Sequence, residues 1–357
     1  MSIYLTNILL IFILNFISKH IKNGKNIFLI LSFLIMWSIV VFRWNIGVDY
    51  RNYNEIYFRV ISSNFLESLQ IIEPGYVIVI YLSNIITPNN PWFMHFLIGT
   101  ITLAFFYLSI KKISTDYFLS VYIFISINFF YSMMNQERQF LAISIVSYGL
   151  YFLVYKEDKK MFVFLIMIAV LFHFSSIVCL IILLPNIINK FKFKKIIFFM
   201  TFLILSIIIF NLDNILSGTN YGRYFGSYYD NQLQLSVILN TIVRIIICIP
   251  IFYIYQLKKI KLNKYRSLFY MLFFMLFFQI CTLFSSVFGR ITTYFFTGII
   301  YLLPIIVYQI KIIVNNKIVN KMILILIIML LIPYHYVYFN LQSESMGINP
   351  YISIFDK

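Results

Sequence analysis

The sequence predicts an all-α polytopic membrane protein, with about 11 to 13 transmembrane helices and a re-entrant segment near 76–87. Three observations carry this. Of 357 residues, 62% are hydrophobic and only 11% charged, whereas a soluble globular chain is about half apolar and about a quarter charged. Apolar runs long enough to approach a hydrocarbon core about 30 Å thick recur along the whole length. The basic residues fall in short clusters between those runs rather than in one patch.

The runs are placed at 3–19, 27–42, 92–110, 117–134, 139–155, 161–189, 196–211, 238–256, 268–286, 291–310 and 322–340. They form a single integral membrane domain over 1–357. The first run has no basic leader and no small-residue cleavage site, so it reads as a membrane helix and not a signal peptide. Residues 76–87 are apolar but too short for an ordinary crossing, which is why they are read as re-entrant. Residues 161–189 would make one helix of about 43 Å at about 1.5 Å per residue. They are read instead as a hairpin of two short helices with its tip near His173.

With those two segments so read, the positive-inside rule sorts the chain. The intervals 19–26, 111–116, 156–160, 190–195, 257–267 and 311–321 fall inside, and their cations are lysines except Arg266. The opposite side holds Arg43, Arg51, Arg59, Arg138, Arg223, Arg244 and Arg290, and one lysine, the terminal Lys357. The topology rule is indifferent to which cation is used. Guanidinium, unlike ammonium, is planar and grips phosphate or carboxylate through two parallel hydrogen bonds. An arginine set on one side therefore points to an anionic ligand there. The net charge of +16 is a topology signal and not a nucleic-acid footprint. The outer loops, 43–75 and 212–237, are polar and rich in tyrosine, as is the 341–357 tail. Cys179, Cys248 and Cys281 lie in apolar runs with no metal-ligand spacing, and no metal or cofactor motif is present.

Several short motifs lie on the predicted outer side. Arg43, Gly47, Asp49 and Tyr53 follow the second run, and Glu73, Gly75 and Tyr76 open the short one. Asn135-Gln136-Glu137-Arg138-Gln139 with Ala142 begins another helix, and Phe172-His173 with Ser175 interrupts the long run. Phe288-Gly289-Arg290 with Tyr294, and then Pro350-Tyr351, complete the series. In this order, from about residue 40 onward, the motifs resemble the EpsG family of Wzy-like bacterial polysaccharide polymerases. Glu137 is not part of the family pattern and takes no inherited role.

The resemblance implies a multi-pass protein of the bacterial cytoplasmic membrane. It implies a glycosyltransferase that joins undecaprenyl-diphosphate-linked oligosaccharide repeat units into exopolysaccharide, capsule or O-antigen at the outer leaflet, without a cofactor. It also implies a partner flippase and a chain-length regulator, with no nucleic-acid partner. Such a reaction needs fixed cations for the leaving diphosphate and a base for the incoming hydroxyl. Arg138 and Arg290 are the first candidates for the diphosphate, with Arg43 and Arg223 next. His173, Asp49 and Glu73 are the candidates for catalysis. His173 interrupts an apolar run, where an ionisable residue marks function by default, although a lone histidine can also be a satisfied core residue. Glu73 could instead cap the short helix, Asp49 could be a turn residue, and Arg43 could pair with Asp49 or Glu73. A lipid-linked glycan ligase would share this chemistry. A flippase would need charge lining a passage and is usually built on internal repeats, which the halves do not show.

Overall fold

The computed structural model describes residues 3–188, 235–256, 263–283, 285, 287–314, 316–342 and 346–356. Arg223, the run at 196–211 and nearly all of loop 212–237 lie outside the described residues. The described chain is helical throughout, joined by turns, with one isolated antiparallel bridge between Arg43 and Ser353. Among the described residues five helices are long and apolar enough to cross a membrane: Gly24–Val41, Trp92–Ile113, Glu137–Lys156, Val237–Tyr255 and Val287–Val314. Tyr117–Ser126 and Phe129–Asn135 form a sixth candidate, bent by 52°. The fold is thus an all-α polytopic membrane protein.

The chain divides into two compact units, one of residues 1–177 and 299–357, the other Val178–Gly298. In the first, α1 (Ile3–Ser18) and α2 (Gly24–Val41) are followed by helices α3 (Asp49–Ser62) and α4 (Phe65–Ile71). The polar 43–75 segment is therefore structured rather than an open loop. Tyr50, Tyr53, Tyr57 and Val60 bury one face of α3, while Arg51, Asn52, Glu55 and Arg59 stay exposed on the other. Asn64 and Glu67 close a reciprocal capping box at the start of α4.

Helix α5 (Pro74–Ile86) opens with proline at its first position, where a missing N–H costs nothing. Its 13 residues span only about 20 Å, short of a full crossing. Then come α6 (Trp92–Ile113), α7 (Tyr117–Ser126), α8 (Phe129–Asn135) and α9 (Glu137–Tyr151), the last running on into a π-helical turn at Phe152–Lys156. Helix α10 (Lys159–Val170) stops after 12 residues, and a 3-10 helix takes over at Phe174–Leu183, followed by the short α11 (Leu184–Ile188). The break falls at Leu171–His173, where the long run was expected to turn. Helix α9 packs against α6 and α10, and α2 against α6.

Residues 346–356 are strapped over the turn that follows α2. Trp44 N donates to Ile352 O at 2.9 Å, Gly47 N to Gly347 O at 2.9 Å, Val48 N to Met346 O at 3.0 Å and Ile354 N to Phe42 O at 2.8 Å. Buried backbone groups need partners, and a turn outside regular structure finds them here in the tail. The Tyr4 hydroxyl adds a bond to Ile348 O at 2.6 Å, and that of Tyr351 one to Ile39 O at 2.9 Å. Gly47 is required where it stands. Its φ is +101°, and a Cβ there would lie 2.8 Å from Met134 O.

The second unit includes α12 (Leu235–Gln256), α13 (Arg266–Cys281) and α14 (Val287–Phe296). The first unit resumes within α15 (Gly298–Val314) and ends with α16 (Lys317–Gln342) and the tail.

Candidate active site

Two ion-pair clusters meet at the first turns of α5 and α9. The outer one is built on Glu73, the residue preceding α5. Its side chain makes no capping bond to that helix. Instead Oε2 accepts from Arg138 Nη1 at 2.5 Å, and Oε1 lies 3.2 Å from His173 Nδ1. Glu73 is 15% exposed, His173 13% and Arg138 27%, so the cluster sits at the edge of the packed interior. Tyr53 lies under the guanidinium, its ring centroid 5.8 Å from Cζ.

Burial pushes the Glu73 carboxyl up. The hydrogen bond from His173 and the positive charge of Arg138 more than offset that, and hold it down at about 2. The phenol of Tyr53 moves the other way, to about 12, chiefly because burial disfavours the phenolate. Glu73 is thus a carboxylate, and Tyr53 a neutral phenol, at any physiological pH.

Gly75 brings His173 to this place from nearly a hundred residues away. Its N–H donates to Leu171 O at 2.8 Å, and a Cβ would lie 2.8 Å from that oxygen and 3.0 Å from Phe172 Cε1. Only a residue without a side chain lets the 171–173 break close on the start of α5.

The inner cluster is built on Glu137, 1% exposed at the start of α9. Its Oε1 accepts from Nη2 of Arg43, itself 1% exposed, and lies 2.6 Å from His95 Nδ1. Tyr76 Oη donates to Oε2 at 3.3 Å. His95 Nε2 is 2.9 Å from Asn54 Oδ1, and Tyr50 stacks on the imidazole with ring centroids 4.0 Å apart. Removing one member of so buried a pair costs about 3–5 kcal/mol, because the other charge is left uncompensated. Glu137 adjoins Arg138, and Tyr76 lies one turn from Glu73. The two clusters therefore tie α5 to α9 as two adjacent rungs.

Of the residues singled out from sequence, Glu73, His173 and Arg138 are brought into one cluster. Arg43 is paired with Glu137, and not with Asp49 or Glu73. Asp49 stands at the first turn of α3, where its N–H donates to Asn135 Oδ1 at 3.1 Å and its Oδ1 accepts from Asn52 Nδ2 at 3.4 Å. Arg290 is exposed on α14 in the second unit, and Arg223 is outside the described residues. Arg51 and Arg59 are exposed on α3.

Sequence reasoning passed over Glu137 and His95. The signal that singled out His173, an ionisable group among apolar neighbours, applies equally to His95, which stands between Met94 and Phe96. Glu137 lies in the polar run Asn135–Gln139 and carries no such signal. Among the described residues no group of three or more His, Cys, Asp and Glu is arranged to hold a metal ion.

No curated protein and no solved structure matches the chain. The model of the EpsG family matches residues 26–353, which takes in both clusters, the strapped turn and most of the tail. The chain belongs to the EpsG family.

Proposed function

We propose that the chain is a membrane polysaccharide polymerase that transfers a growing saccharide from one undecaprenyl diphosphate to a sugar hydroxyl on another, at the outer leaflet. Family membership supports polysaccharide polymerisation at the level of class. The observation that carries the mechanism is the cluster in which Glu73 holds both His173 and Arg138.

The incoming hydroxyl must lose a proton as it attacks the anomeric carbon, and the bond from that carbon to the diphosphate oxygen must break. A carboxyl held at about 2 is too weak a base to take the proton at neutral pH. Glu73 therefore acts by positioning. It accepts the Nδ1–H of His173, which fixes the tautomer and leaves the lone pair of Nε2 as the base. When His173 takes the proton, the neighbouring carboxylate stabilises the imidazolium. Arg138 spends one nitrogen on Glu73, and its exposed part faces the departing diphosphate with a charge already in place. The inner cluster is the scaffold that sets Arg138 and Glu73 in register. On this reading Arg43 supports the site from behind.

The test is a host strain lacking the gene, complemented with wild-type or His173→Ala protein. The wild type should restore high-mass polysaccharide. The variant, at equal membrane abundance, should leave single lipid-linked repeat units to accumulate. Normal polymer from His173→Ala would remove the proposed base. Undiminished polymer in the strain lacking the gene would remove the polymerase reading.

A further inference from the structure

The second unit carries a cation that the mechanism above does not use. Arg244 lies within α12, inside the apolar span Val237–Tyr255. A guanidinium in an apolar span calls for a partner, whether an anion, a backbone carbonyl or a water-filled cavity. None of the described residues of this unit is Asp or Glu. The hydrogen-bond acceptor instead is a neutral amide. Arg244 Nη1 donates to Gln279 Oε1 on α13.

That amide is held rigidly. Gln279 is 3% exposed, and its Nε2 donates to Thr241 Oγ1 at 2.8 Å and to Thr282 Oγ1 at 3.1 Å. The Thr241 hydroxyl is in turn spent on Val237 O at 2.8 Å, and that of Thr282 on Gln279 O at 2.5 Å. Both hydroxyls thus accept from the amide nitrogen, so the amide oxygen can face only Arg244. The guanidinium also lies over the ring of Phe296, with Cζ 4.6 Å from the centroid. One edge and one face of Arg244 are therefore fixed by neutral groups that orient a charge without neutralising it.

The remaining donors lie along the other edge. Nε is buried and has no hydrogen-bond partner among the described residues. With Nη1 taken, Nε–H and the neighbouring Nη2–H form the fork that matches two oxygens of one phosphate. Arg43, by contrast, has its charge cancelled by Glu137; among the described residues Arg244 has no such carboxylate.

We propose that Arg244, held by Gln279 and Phe296, is a binding site for a phosphate group. On the polymerase reading, on which the choice of ligand rests, this is the diphosphate of a lipid-linked saccharide. Joining two such substrates requires two headgroups to be bound, and Arg138 in the first unit provides for only one.

The test uses the full-length protein in nanodiscs, with undecaprenyl diphosphate and inorganic pyrophosphate as probes. Binding is measured by microscale thermophoresis. Arg244→Gln should weaken binding about tenfold, the loss expected for one charge-assisted fork. Gln279→Glu keeps Arg244 but cancels its charge from within. It should lose affinity to a similar extent while its melting temperature is kept or raised, so the test survives if Arg244→Gln fails to fold. Wild-type affinity in both variants overturns the site. Loss in Arg138→Gln alone also overturns it, and leaves the polymerase reading intact. Arg244-dependent binding of pyrophosphate with no binding of undecaprenyl diphosphate supports the phosphate site and overturns the lipid-linked diphosphate as its ligand. Failure of the wild type to bind either probe overturns both.

Discussion

Glu73 carries opposed demands at the scale of one residue. It is partly buried, which favours the neutral acid, yet it serves a guanidinium and an imidazole that need the anion. Its folded value of about 2 lies below the ordinary 4.5. A carboxyl lowered on folding stabilises the native state above its ordinary value, and that contribution is lost as pH falls from about 4.5 towards 2. Wild-type protein should therefore be more stable than Glu73→Gln at pH 6. The gap should narrow as pH drops to 3, with a full span of the order of 3 kcal/mol. Thermal unfolding in detergent across that range checks this, and a gap that widens towards low pH would contradict it. Arg138→Lys keeps the charge but loses the planar fork. Polymer yield should fall about tenfold or more with membrane abundance unchanged, and near-normal polymer would remove the bidentate role.

Between elements, the feature that matters is the approach of the α10 break to the first turn of α5. Gly75→Ala would set a methyl 2.8 Å from a backbone oxygen that cannot rotate away. The break must then move, and His173 moves with it. A displacement of about 1 Å at a reacting group can cost about a hundredfold in rate. The variant should therefore lose polymer on that scale while its unfolding midpoint shifts by only a few degrees. Full activity in Gly75→Ala would mean that this contact does not place His173. The break itself was legible in sequence, because His173-Phe174-Ser175-Ser176 interrupts a run too long for one helix. So was the shortness of α5, from its dozen apolar residues and Pro74. The helices within 43–75 were not, since tyrosines among charged residues read equally well as a solvated loop until α5 is there to bury one face. Glu137 and His95 also escaped. A carboxylate at a helix start is usually explained by the helix dipole, and only the fold shows that Arg43, from the turn after α2, ends beside it.

For the molecule as a whole, the separation of arginine from lysine predicts sidedness. With Cys179, Cys248 and Cys281 replaced, a cysteine at Ser62 on exposed α3 should react with an impermeant reagent from outside. One at Lys22, between α1 and α2, should react only after the membrane is opened. Protection of Ser62 together with labelling of Lys22 would invert the topology and move the Glu73 cluster to the cytoplasmic side. Such a distribution is readable in sequence because it depends on counting charges between runs. The pairing of Glu73 with His173 and Arg138 is not, because sequence separation says nothing of which helix starts converge.

The strap over the α2 turn has a consequence in time. Residues 42–48 emerge from the ribosome roughly three hundred residues before 346–356, as the separation of 312 between Tyr351 and its acceptor Ile39 shows. At synthesis rates of about 5–20 residues per second, that interval is tens of seconds. Throughout it, the turn carrying Arg43 has its amide groups open. The site is thus framed early and latched late, so a nascent chain interrupted before the tail emerges would carry every residue of both clusters without the backbone bonds that hold Arg43 in place.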